Sequence, residues 1–165
     1  MALKADRHEE TTDISFFYNA GTATRGGVVC LADGGQASGV ALDQGENLVA
    51  YTACVAAGTS NIPVGILLND VVNKDLTRTH VNHHKDEVQK GGKVTLLTRG
   101  WVVTSNITGT PVAGSLAYAG EVAGNIATVA GTAAASGAYA IGRFMSRKDA
   151  DGYAKVFVNL PNHGA

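Results

Sequence analysis

The sequence predicts an all-β domain, a small barrel or sandwich of short antiparallel strands behind an extended N-terminal arm. Two observations carry this reading. Gly supplies 21 of the 165 residues, and the 45% hydrophobic content rests mainly on Ala and Val, a balance that favours turns and strands over helices. From Gly26 onward, apolar runs of about 5 to 8 residues recur, each closed by Gly, Asn, Asp or Pro, the spacing of sandwich and barrel strands.

The elements follow in order. Residues 1–24 hold a dense share of the charges and end in "ISFFYNAGTA", with no long periodic pattern. They read as an arm carrying one apolar anchor, Ile14, Phe16, Phe17 and Tyr18, because adjacent aromatics in a solvated tail would go unused. The arm is expected to be dispensable for folding but needed for attachment or assembly, its anchor docking on the capsid or on a neighbouring subunit. Residues 25–165 read as the β domain. "GGVVCLAD" is a strand closed by the turn Asp33-Gly34-Gly35; "ASGVALDQG" is a second short strand. "NLVAYTACVAAG" alternates, and "IPVGILLNDVV" is a buried run that begins beside a proline, as an edge or a strand start does. "NKDLTRTHVNHHKDEVQKGG" is a polar break that reads as a long exposed loop. "KVTLLTRGWVVTSN", "GSLAYAG", "NIATV", "GAYAIGRFMSR" and "YAKVFVNLP" complete the strands. "SGVALD", "VGILLN" and "IGRFMS" share a glycine at the same place, which suggests bulges where strands approach closely.

Composition bounds the function. Charged residues are 16% of the chain and net charge is −1, so no electrostatic case exists for nucleic acid or an anionic membrane. No apolar run approaches the about 20 residues of a membrane helix, and the N-terminus is polar where a secretory signal is apolar. A surface this low in charge is expected to be partly covered by another protein. Cys30 and Cys54 sit in apolar strands and read as buried free thiols.

Catalytic patterns are sparse. No Gly-x-Ser-x-Gly elbow is present, and Ser136 in "AASGAY" lies in a flexible Ala-rich stretch. No phosphate-loop spacing occurs. Asp33, Asp43, Asp70, Asp149 and Asp151 fall at turns, where carboxylates cap. The strongest candidate is His80, His83, His84 and Glu87. On a helix His80 and His84, or His83 and Glu87, share a face, and two His with a carboxylate form a common metal set. The second glutamate of a zinc-protease motif is missing and the composition is that of a loop, so a solvated loop, or one gathered at an oligomer axis, is the favoured reading. Trp101 is expected in the core, with Arg99 on the same strand face able to stack on it.

The order of segments from Gly91 onward resembles the capsid decoration, or cement, proteins of tailed bacteriophages. The matching stretches are the strand "GGKVTLLTRGWVVT", Gly114 to Tyr118, Ile126 to Val129, Ile141 and Gly142, the acidic turn Asp149 to Gly152, and Val156 to Leu160. "RGGVVCLADGGQASGVALDQGEN" is similar to the family's opening strands. The resemblance implies a structural virion protein, not an enzyme, with no cofactor. It would be made in the host cytoplasm and would bind the outer surface of the major capsid protein lattice, commonly as a homotrimer, stabilising the shell. Two other readings are a fibre or receptor-binding module, for which exposed aromatics are few, and a metal-dependent small barrel enzyme using the His-rich loop.

Overall fold

A computed structural model describes residues 2–31, 48–51, 62–72, 87–120, 122–129 and 139–160. Among these there is no helix. The strands are β1 (His8–Asp13), β2 (Phe17–Tyr18), β3 (Val28–Leu31), β4 (Leu48–Ala50), β5 (Pro63–Leu67), β6 (Asp70–Val72), β7 (Glu87–Gln89), β8 (Leu96–Thr104), β9 (Ile107–Thr108), β10 (Leu116–Ala119), β11 (Ile126–Ala127), β12 (Ala140–Phe144) and β13 (Ala154–Asn159). The strand expected over "ASGVALDQG", the turn at Asp33, Ser136 and the loop histidines lie outside the described residues.

One sheet runs β2-β4-β3-β5-β8-β13-β12-β10-β11-β9, with β1 also paired to β8, and β6 with β7 forms a separate ribbon. Among the described residues the path is open, so the fold is sandwich-like and closes no barrel. Most pairs are antiparallel, as expected, but β2–β4, β9–β11 and β6–β7 are parallel. Each parallel pair is separated in sequence by a long connection, which parallel pairing requires.

Neighbouring residues divide between two cores. Val28, Ile66 and Leu97 belong to a cluster with Val102, Ile141, Phe144, Val156 and Val158. Val29, Leu67 and Leu96 belong to a second cluster with Tyr18, Val49, Val71 and Val94. Successive strand side chains point to opposite faces, so β3, β5 and the start of β8 are covered on both sides. That explains their continuous apolar runs. Farther on, β8 and β13 alternate buried and half-buried residues and so have one outward face.

Gly65 and Gly142, two of the three repeated glycines, each stand beside a register shift, at Val29/Cys30 and Ala117/Tyr118 respectively. A side chain at Gly142 would overlap the Phe157 carbonyl oxygen, and one at Gly65 would lie 2.8 Å from Leu96 Cβ. Bulges of this kind re-aim neighbouring side chains.

The cysteine expectation is corrected: Cys30 is fully buried but disulfide-bonded. Cys54, the other cysteine of the chain, lies outside the described residues.

Candidate docking surface

Residues 2–24 are extended but laid against the domain. β1 pairs with β8 from His8↔Trp101 to Asp13↔Leu96. Gly100 admits this approach, since its φ is +141° and a side chain there would occupy the position of the His8 carbonyl oxygen. Upstream, Leu3 is 1% exposed and bridges to Thr104. The Lys4 ammonium donates to Asp149 at 2.8 Å and lies 4.3 Å from the Tyr153 ring centre. Its partner is fixed by the turn: Asp149 Oδ1 also accepts from the Tyr153 and Asp151 amides at 2.8 and 3.0 Å. The Lys4 hydrogen bond, then the Tyr153 amide, hold the Asp149 carboxyl below the usual carboxylate range.

The proposed anchor divides. Phe17 and Tyr18 are buried, Phe16 is half-buried, and Ile14 is 61% exposed. Phe17 and Tyr18 pair in parallel with β4, and Tyr18 meets Tyr51 edge-on at 6.2 Å between ring centres. The Tyr51 hydroxyl donates to the Thr24 carbonyl and accepts from the Gly27 amide. Burial pushes its pKa up. This is a desolvated phenol clamping a turn, and its hydrogen bonds account for it without catalysis. Of the second set, Glu87 opens β7 opposite Asp70, half-buried; His80, His83 and His84 are outside the described residues. Among the described residues no three His, Cys, Asp or Glu gather as a metal would require.

What sequence reasoning missed is the outward face of the large sheet. The registers His8↔Trp101, Trp101↔Phe157, Phe157↔Arg143 and Arg143↔Leu116 set one side-chain row across β1, β8, β13, β12 and β10. The Trp101 ring lies 5.5 Å from His8 and 6.2 Å from Phe157, centre to centre, both tilted. Such pairs contribute about 0.5–1.5 kcal/mol beyond area burial. Trp101 is thus half-buried on the outside, while Val102 beside it fills the core. Lys155, not Arg99, covers the indole, at 5.0 Å; Arg99 is instead engaged with Glu10 at 2.8 Å. The reason is register: Arg99 lies beside β1 and its carboxylates, whereas Lys155, opposite Val103 on β13, is a diagonal neighbour of Trp101.

Two more features extend the row. Met145 lies beside Lys155, donating its amide to the Lys155 carbonyl at 2.7 Å. Met145 is 50% exposed and Leu116 38%. A cleft of about 200 Å³ is lined by Leu116, Ala140, Gly142, Arg143, Phe157 and Asn159. Strand alternation in "AKVFVN" signals the outward positions Lys155 and Phe157, but nothing local indicates that Trp101, Arg143 and Leu116 line up with them.

The described outward face is thus a sheet surface of aromatic, aliphatic and basic side chains, of the kind a protein uses to adhere to another. Comparison with known families agrees: residues 10–159 match the family described as structural cement protein (E217 gp24/Pam3 gp6), and the chain belongs to that family. It is a structural phage protein associated with the virion capsid. No curated protein matches the chain.

Proposed function

We propose that the protein binds the outer surface of the major capsid protein lattice and reinforces the shell without turnover, acting as a homo-oligomer, most simply a trimer. The family match carries this reading. The physical character of the chain supports it: charge is low, and exposed apolar side chains such as Val112, Leu116 and Met145 remain on the surface of one copy. Exposed patches of this kind mark protein interfaces. Contacts repeated by lattice symmetry let weak individual attachments hold firmly.

The test uses heads lacking this protein, heated or osmotically shocked with and without the purified chain. Bare heads should lose integrity at milder stress and regain resistance when the protein is added. Equal survival of bare and coated heads would overturn the proposal.

A further inference from the structure

We propose that the face formed by β8, β13, β12 and β10 receives an extended, carboxylate-bearing segment of the shell protein, an inference that rests on the capsid-binding reading above. The argument is charge complementarity. Lys4, Arg7, Arg25 and Arg99 each stand within ion-pair distance of a carboxylate of this chain. Arg143 and Lys155 form no ion pair among the described residues, as is also true of Lys90, Lys93, Arg147 and Lys148, but these two stand together on one sheet face: Arg143 donates to the Gly114 carbonyl at 3.0 Å, and Lys155 lies over the indole. Two cations without counter-charges therefore sit as diagonal neighbours beside Trp101, Phe157 and Leu116, on a face that also carries the Arg99–Glu10 pair and Asn159.

Their geometry suits a strand-like ligand. Arg143 is opposite Phe157, and Lys155 is two residues before Phe157 on the same face. Diagonal neighbours in a sheet lie about 7–8 Å apart, close to the repeat of alternate side chains along an extended peptide. A carboxylate can bridge the two heads while the next side chain on that face enters the cleft between Leu116 and Phe157. Charge-assisted bonds of this kind gain strength where neighbouring aromatics exclude water. A second copy is the competing occupant, and the cross-link below distinguishes it from the shell protein.

The experiment measures binding of the full chain to bare heads across a salt series, for the wild type, for R143E/K155E, and for K90E/K93E, which makes the same charge change elsewhere. The R143E/K155E protein should bind roughly tenfold more weakly or worse and lose most of its salt dependence, while K90E/K93E binds as the wild type does. In parallel, wild-type protein on heads is treated with a carbodiimide, which joins a lysine amine to a touching carboxylate. Mass spectrometry should find Lys155 linked to an Asp or Glu of the shell protein. Equal weakening by both double variants would show diffuse charge attraction and overturn the proposal. Unchanged binding by R143E/K155E, or a Lys155 link to a second copy, would do the same while leaving the capsid-binding reading intact. Failure of the wild type to bind bare heads would remove both.

Discussion

Single residues show where the chain has no freedom. Gly142 lies so close to β13 that any side chain would meet the Phe157 carbonyl; relief requires separating two central strands. Gly142→Ala should therefore lower the melting temperature by several degrees, a loss of roughly 2 kcal/mol or more. Gly21→Ala, where nothing lies within 4 Å, should change it little, and thermal melts by circular dichroism compare the two. The repeated glycines made this constraint legible in sequence; which strand each one meets was not, because that depends on long-range register. Trp101 shows the same limit. Alternation marks a face, but whether the face points to core or solvent is decided by the partners on both sides of the strand. The Lys4–Asp149 pair gives a pH signature. Asp149 is held below its ordinary range and Lys4 above its own, each chiefly by their shared hydrogen bond. The Asp149 contribution is thus complete above the unfolded carboxylate pKa of about 3.9 and is lost as pH falls through the lower folded value. The Lys4 contribution is complete below about 10.4 and is lost as pH rises through the higher folded value. Asp149→Asn should be modestly less stable than the wild type near neutrality, with the two melting curves converging at low pH and only narrowing at high pH, where the Tyr153 and Asp151 amides still bind the carboxylate.

At the scale of elements, the N-terminal segment is the main revision. Charge density and the paired phenylalanines suggested an extended arm over residues 1–24 with an apolar anchor. They did not reveal that Phe17 and Tyr18 enter the core, because an aromatic pair reads alike whether it fills a core or docks on a neighbour. We propose a boundary nearer Ile14 than Arg25. The residues of β1 are largely exposed and, among the described residues, pair with β8 alone, so removing residues 1–13 should leave a folded domain. That domain should melt earlier, since Leu3 is lost and burying such a side chain contributes about 1.5–3 kcal/mol. Removing residues 1–24 also deletes Phe17, Tyr18 and Ala23 and should abolish the cooperative transition. A truncation to residue 25 that melts cooperatively near the wild-type temperature would restore the wider arm. The parallel pairs were equally invisible in sequence, because strand composition does not reveal the partner's direction.

For the whole molecule, the all-β class and the lineage were legible because glycine spacing and alternation act locally, repeating along the chain. The disulfide at Cys30 was not, since an apolar strand context describes a buried thiol and a buried cystine equally well. Oxidation is directly measurable: denatured protein treated with an alkylating reagent should gain no mass at Cys30 until a reductant is added. Assembly is the remaining property that belongs to the molecule as a whole. The described surface exposes Ile14, Val112, Leu116, Val122, Val129 and Met145, and charged residues are 16% of the sequence, a combination that favours association over a dispersed monomer. A closed symmetric interface would bury part of this apolar area. If the same face served both self-association and the shell, R143E/K155E would impair both. With separate faces, as proposed here, that variant should keep the oligomeric mass of the wild type in light scattering, three times that of one chain, while losing attachment to heads. A monomer for the wild type at micromolar concentration would count against the solution trimer. A variant that falls apart as it loses attachment would reassign the basic face to the subunit interface.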